Sequence, residues 1–472
     1  MVTENKSFKP SLSLLDATMV VSGGMIGSGI FIVSADITRN TGSAGWLILV
    51  WIITGFMTIT AALSYGELSG MFPKAGGQYV YLKEAWGTLP AFLYGWSFFA
   101  VIQTATIAAV GVAFAKFTAY LIPECSEDLV VLDLGFLQIS PAQLLSIAVI
   151  LLLTFINTRG VKNGKILQTT FTLTKIGSLF GLIIFGFIAL KPEVWSANWT
   201  NAWELHKLSP DGTIEQYTSI AAIGAIAAAM VGSIFSSDAW NNVAFIAGEI
   251  KNPKRNIGLS LFMGTLIVTV IYVFANVMYT AVLTLQQITA AEKDRVAVAA
   301  SHVIFGNAGT AIIAVMIMVS TFGCNNGLIM SGARAYYTMA NDGLFFRKAG
   351  RLNSASVPAF ALWIQCIVAA AWSLSGKYGD LLDMISFVVV GFYMLTIAGI
   401  FRLRRTRPAM ERPYKAFGYP VLPLLYILMG MSFCVLLIIY KPKFTWPGLI
   451  ITLIGVPVYY VMNRKNNTGK NI

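Results

Sequence analysis

Two segments apolar enough to cross a bilayer are each interrupted near the middle by glycines and small polar residues, at corresponding places in the chain. The first reads Gly23-Gly24-Met25-Ile26-Gly27-Ser28-Gly29-Ile30-Phe31. The second reads Gly232-Ser233-Ile234-Phe235-Ser236-Ser237-Asp238-Ala239-Trp240-Asn241-Asn242. An unpaired N–H or C=O in hydrocarbon costs several kcal/mol, so a lipid-facing helix cannot give up its hydrogen bonds. Unwound backbone at membrane depth belongs where a buried cavity or a ligand satisfies it. A pair of broken helices in matching halves is the pointer to a binding site that moves solute across a membrane.

The rest of the chain agrees with a membrane setting. Only 11% of its 472 residues are charged and 56% are hydrophobic, whereas soluble domains carry about a quarter charged residues. Twelve apolar runs of spanning length are read near 14–38, 45–66, 88–121, 141–158, 166–190, 217–248, 257–284, 308–340, 358–375, 380–403, 419–440 and 445–462. Twelve spans put both termini on one side. With the N-terminus inside, 23 of the 33 lysines and arginines fall on the inner side and 8 on the outer. That bias supports cytoplasmic termini. It also explains the net charge of +12 as inner-face anchoring, with no nucleic acid required.

The first thirteen residues are polar and run directly into the first span, so no cleaved signal peptide is expected. Cys125 lies in an outer loop, and Cys324, Cys366 and Cys434 lie in spans as packing residues. No metal-ligand spacing such as C-x-x-C occurs, and no cofactor or metal is expected. His206 and His302 are both assigned outside, and no Walker loop or Ser/His/Asp arrangement is present. An enzyme is therefore not expected.

The halves divide as 1–190 with spans one to five, 191–403 with spans six to ten, and 404–472 with spans eleven and twelve. An odd number of spans per half inverts the second half relative to the first. In the first break, four glycines fall within seven residues, Gly23 to Gly29, each costing about 1 kcal/mol relative to alanine inside a helix. They allow either close helix packing or an unwound turn whose N–H groups attract a carboxylate. The pairing with the second break favours binding. There, free carbonyls at the end of the preceding half-helix suit an ammonium group, so one α-amino acid zwitterion bridges both breaks. Phe235 either covers that ligand or packs. Asp238 either acts on it, caps the broken helix or meets the Asn241 amide.

Lys175 sits near the middle of span five, nine residues or ~13 Å from the inner end, further than a lysine comfortably snorkels. A mid-membrane ammonium costs at least ~2.5 kcal/mol, so pairing with interior carbonyls is expected. A proton-carrying role and a purely structural pin both remain open. The Ser320–Gly327 stretch either lines the cavity or bonds neighbouring helices. Arg334 and Glu67, near inner ends, either form a gate ion pair or serve as interface anchors, with anchoring favoured.

These residues resemble the L-type amino acid transporter family of the amino acid–polyamine–organocation superfamily. The resemblance rests on Ile26-Gly27-Ser28-Gly29-Ile30-Phe31, Pro73-Lys74-Ala75-Gly76-Gly77-Gln78-Tyr79-Val80-Tyr81, Trp240-Asn241-Asn242 with Glu249-Ile250-Lys251-Asn252-Pro253, Ser331-Gly332-Ala333-Arg334 with Met339-Ala340-Asn341-Asp342-Gly343, and Arg412-Pro413-Tyr414-Lys415. It implies an all-α integral membrane protein of twelve transmembrane helices, a LeuT-type 5+5 inverted repeat with helices 1 and 6 discontinuous. It further implies that the substrate carboxylate meets backbone N–H groups near Ser28 and Gly29 and the amine meets carbonyls of Met25, Phe235 and Asp238, with Gly27 and Ser236 completing the substrate-binding set. Phe235 matches the gating aromatic, and Lys175 a lysine that takes the place of sodium in sodium-coupled relatives.

The implied activity is sodium-independent exchange of neutral L-amino acids across the plasma membrane by alternating access. Rival readings are a proton-coupled symporter, a carrier that also takes cationic amino acids, and a non-transporting amino-acid sensor. Many family members carry two glycines where this chain has Asp238-Ala239, which keeps cationic substrates in play. Cys125 lies in the loop where animal members form a disulfide to a heavy-chain glycoprotein; no such linkage is expected here. The expected partners are L-amino acids and the lipid bilayer.

Overall fold

The computed structural model describes residues 10–468 except 134, 136, 137, 376 and 377. The expected cytoplasmic termini, and Lys6, Lys9, Lys377 and Lys470 in the count of basic residues, lie outside the described residues.

The first apolar run is three helices, α1 (Leu14–Met25), α2 (Gly29–Ile32) and α3 (Ser34–Thr41), followed by α4 (Ala44–Met71) and α5 (Gln78–Trp86). The third run begins as α6 (Thr88–Ser97), passes through a π turn at Phe98–Ile102 and continues as α7 (Gln103–Leu121). Then come α8 (Pro141–Thr158), α9 (Val161–Ile188), α10 (Pro192–Thr200), α11 (Ser219–Ser236), α12 (Asn242–Phe245) and α13 (Pro253–Val282). The chain ends with α14 (Leu285–Thr289), α15 (Val296–Asn341), α16 (Ala359–Ser375), α17 (Tyr378–Thr406), α18 (Val421–Tyr440) and α19 (Pro442–Thr468).

Ten helices among the described residues are long and apolar enough to cross a bilayer, against twelve runs read from the sequence. The two others are apolar but shorter, Ala221–Ser236 and Ala359–Leu374. The first stops short because the polar cluster after Ser236 ends its hydrogen-bond ladder. The all-helical expectation also gives way in two loops. Leu132–Asp133 pairs antiparallel with Gln138–Ile139, and His206–Leu208 with Ile214–Gln216. Both hairpins are short, with strands of two and three residues, too short for a periodicity to be read from the sequence.

Local chemistry explains the ends. Ser13 caps α1 through a reciprocal box, its hydroxyl accepting from the Asp16 N–H while the Asp16 carboxylate accepts from the Ser13 N–H at 2.8 Å. The 46-residue α15 is interrupted at Gly306, whose φ of +70° is open to glycine. It therefore begins well before the 308–340 run taken from hydropathy alone.

The centre of the molecule is built on α4 against α13, with small residues drawing the two backbones together. A Cβ placed on Gly258 would lie 3.4 Å from the Gly66 Cα. This small-residue contact is how membrane helices gain packing where lipid supplies no hydrophobic drive. α1, α11 and their breaks lie inside the frame formed by α4, α7, α13, α15 and α17.

Candidate functional site

α1 ends at Met25, and Ile26, Gly27 and Ser28 are non-helical before α2 resumes at Gly29. The last carbonyls of α1 lose their intrahelical donors there and must be served from elsewhere. Lys175 on α9, fully buried, donates its ammonium to the Gly23 carbonyl and, at 2.7 Å, to that of Ile26. Ser320 on α15 also donates to Ile26 O at 3.3 Å, and the Cys324 thiol donates to Gly24 O at 3.1 Å. Cys324 is thus more than the packing residue expected, because the break leaves a carbonyl facing it. The Ser320–Gly327 stretch bonds neighbouring segments through these two residues and through Asn326, whose side-chain oxygen accepts from the Asn157 amide of α8 at 2.8 Å.

α11 ends at Ser236, and the chain unwinds through Asn241 before α12. Ala239 takes φ of +63°, a left-handed conformation uncommon for a residue with a Cβ. Gly29 and Ser236 bring the two breaks into contact. A Cβ built on Gly29 would sit 1.8 Å from Ser236 Oγ, so only glycine allows this approach. Ser236 Oγ is fixed by donating to Gly232 O at 2.7 Å. At Gly27 an added Cβ would meet Cys324 Sγ at 3.1 Å.

Tyr272, from α13, joins the two breaks through one atom. Its hydroxyl lies 2.8 Å from Met25 O and 3.1 Å from Ser236 O. One proton serves two carbonyls, each at the partly negative end of a half-helix. Across from it, the N–H groups of Ser28, Gly29 and Ile30 open α2, where a helix has no internal partners for them. Ser28 Oγ lies 3.0 Å from the Tyr378 hydroxyl, and the Tyr378 ring meets Phe235 edge-on at 6.1 Å.

The structure therefore brings Met25, Gly27, Ser28, Gly29, Phe235 and Ser236 together. Asp238 lies to one side: its carboxylate accepts from the Tyr393 hydroxyl, while the Asn241 amide donates to Gln78 at 3.0 Å. The expected Asp238–Asn241 meeting is replaced because Ala239, with its positive φ, turns the two side chains toward different helices. Two spaces bordering Asp238 have volumes of about 10 and 20 Å³, enough for a water and no more. One of them adjoins the π turn through Phe98 and Ile102.

The two ends of the site differ. Beyond Tyr378 a cavity of about 390 Å³ is lined by Asp36, Arg39, Lys116, Asp383 and Lys441 among others. Two ion pairs flank it, Arg39–Asp294 at 2.7 Å and Lys441–Asp383 at 3.0 Å. The opposite end is closed by buried charge. Arg334 pairs with Glu249 at 3.0 Å, the side chains 1% and 3% exposed. Glu67 receives both Arg404 nitrogens at 3.0 and 2.6 Å and the Ala416 N–H at 2.7 Å. Arg334 and Glu67 are thus not interface anchors, because α4 and α15 carry them into the interior where only a counter-charge stabilises them. Ser11 and Leu12 N–H groups both donate to Glu249 O, and Lys251 N–H to Leu12 O, fastening the entry of α1 to the segment after α12.

Tyr272, Tyr378 and Tyr393 escaped the sequence reading. A tyrosine in an apolar helix carries no local signal beyond packing, and only the helix register aims its hydroxyl. Their spacing to a polar partner across the fold is the signal, and it exists only in three dimensions.

The amino acid permease family profile matches residues 12–461. The large neutral amino acids transporter small subunit 2 of Homo sapiens is 30% identical over 458 residues, covering 96% of this chain and 81% of the relative. The b(0,+)-type amino acid transporter 1 of Homo sapiens is 28% identical over 464 residues, 97% of this chain and 88% of the relative. The Asc-type amino acid transporter 1 of Mus musculus is 27% identical over 461 residues, 97% and 82% respectively.

Proposed function

The chain belongs to the amino acid permease family, among the L-type amino acid transporters of the amino acid–polyamine–organocation superfamily, and from that premise we propose that it exchanges neutral L-amino acids independently of sodium. It is a membrane transporter and not an enzyme. In this reading the twelve apolar segments form two five-helix halves of opposite orientation, with α18 and α19 added, in a cell membrane with the termini cytoplasmic.

The observation that carries the reading is the Tyr272 hydroxyl shared between Met25 O and Ser236 O, opposite the open N–H groups of α2. Two partly negative carbonyls and a partly positive helix start, side by side, match the two charges of an α-amino acid. The substrate carboxylate binds at Gly27, Ser28 and Gly29. Its ammonium takes over the Met25 and Ser236 carbonyls, releasing Tyr272. Phe235 and Tyr378 close over it from the side of the 390 Å³ cavity, which is the external approach. Lys175 supplies at Gly23 and Ile26 the positive charge that a sodium ion supplies elsewhere. A charge fixed to the protein is not carried across, which is why exchange needs no sodium gradient.

Uptake into proteoliposomes tests this. Entry of labelled neutral amino acid should require unlabelled amino acid inside and be unchanged when potassium replaces sodium. Sodium-dependent uptake overturns the proposal, and binding without flux assigns a sensor. Asp238, partly buried and bonded to Tyr393, favours a second reading in which a proton or a cationic side chain is accommodated there. Uptake driven by a pH gradient into vesicles empty of amino acid decides for proton coupling. Competition by lysine or arginine decides for the cationic substrates.

A further inference from the structure

On the end closed by buried charge, a groove of about 860 Å³ opens sideways between α4, α13 and the connector ahead of α18. Its walls include Phe56, Leu63, Leu259, Phe262 and Phe417. Phe417 is 70% exposed, and the neighbouring Val421 66%. Those faces point outward from helices that cross the bilayer, so acyl chains and not water are what they meet. Concavity separates this surface from the ordinary lipid-facing helix. A flat apolar face takes any lipid, whereas a groove of this size holds one molecule.

The charges are all at one end. Lys254 and Arg255, on the first turn of α13, line the groove where it reaches the membrane surface. Lys254 is paired with Glu411 at 2.9 Å. The Arg255 side chain is exposed and its guanidinium has no partner among the described residues. A guanidinium offers a planar fork that matches phosphate oxygens. An apolar trough ending in a free arginine at headgroup depth is complementary to a molecule with hydrocarbon at one end and phosphate at the other. A free phosphate would leave the trough unfilled, and a fatty acid without a phosphate would not use the fork.

We propose that this groove is a binding site for one acidic phospholipid of the leaflet on the basic side, its acyl chain along Leu259 and Phe262 and its phosphate on Arg255. The net charge of the headgroup is decided by the surroundings. Glu411 neutralises Lys254, so Arg255 and the nearby exposed Lys415 set a positive field that an anionic lipid satisfies and a zwitterionic one does not. Basic residues at a membrane surface favour anionic lipid by about fivefold each.

The site has a reason to matter. Gly258, on the groove, touches Gly66 of α4, and α13 carries Tyr272 about two helical turns beyond Gly264, which packs on Val21 of α1. A lipid wedged at the start of α13 therefore bears on the helix that links the two breaks. Binding itself needs neither break nor any transport, so its test stands apart from the proposed exchange.

Protein carried from nanodiscs of phosphatidylcholine with one-fifth phosphatidylglycerol into native mass spectrometry should retain one phosphatidylglycerol. Arg255→Glu should reduce that occupancy about fivefold or more, and Arg255→Lys should keep most of it. Leu259→Trp, which fills the trough without touching charge, should lower retention of the lipid. Each variant is checked for a monodisperse size-exclusion profile, so that a misfolded protein is not scored as loss. Equal retention of phosphatidylcholine, or unchanged occupancy in Arg255→Glu and Leu259→Trp, overturns the proposal.

Discussion

Gly29 has no room for a side chain, because the nearest atom of Ser236 stands where a Cβ would go. Even alanine must push the two breaks apart. Overpacking of this kind costs about 1–3 kcal/mol, and here the displaced atoms are those assigned to the ligand. Gly29→Ala is expected to lower amino acid uptake at least tenfold while surface expression stays within twofold, read as uptake normalised to immunoblot. Lys175 makes a different prediction. Lys175→Met leaves the Gly23 and Ile26 carbonyls short of their ammonium donor inside the bilayer, at about 1–3 kcal/mol each. The substrate-free protein should melt lower in a thermal-shift assay, and added sodium should not restore it. The glycines were legible in the sequence because four in seven residues is a local fact. Lys175 was legible because a mid-span charge must be answered. Tyr272, Tyr378 and Tyr393 were not, since an apolar helix tolerates a tyrosine on any face and only packing decides what its hydroxyl reaches.

Among elements, α13 does the most with the least polarity. It forms the frame with α4, packs Gly264 against Val21 and hands one hydroxyl to both breaks. Tyr272→Phe removes that hydroxyl while keeping the ring against Trp51. Because the ammonium then has no hydroxyl to displace from the two carbonyls, KM for amino acid uptake is expected to fall several-fold with little change in protein yield; an unchanged KM would show that the two carbonyls find another donor. The helical membrane segments were readable from hydropathy because twenty apolar residues in lipid have few other options. Their ends were less so. α11 stops at Ser236 and α15 starts at Val296, in both cases because polar or glycine-bearing backbone is accommodated by neighbours and not by local preference. The two hairpins lie in loops where no periodicity long enough to read exists.

Across the whole molecule the two ends contrast. A charged cavity leads in from one side, and buried ion pairs close the other. Removing one partner of a buried pair costs about 3–5 kcal/mol, far more than an exposed pair is worth. Glu249→Gln should therefore loosen the closed end selectively. A cysteine placed at buried Ala335 should react faster with a membrane-impermeant maleimide from the basic side in that background, with reactivity from the opposite side unchanged. Arg39→Gln, at a partly exposed pair, should change neither by more than twofold. The closed end carries one more tie, the three backbone bonds by which Ser11, Leu12 and Lys251 stitch the start of the chain to the stretch after the second break. Any tag or fluorescent protein joined close to Ser11 would tug directly on that stitch, so the stretch entering α1 is a handle on this carrier's resting posture and a poor place for a silent label.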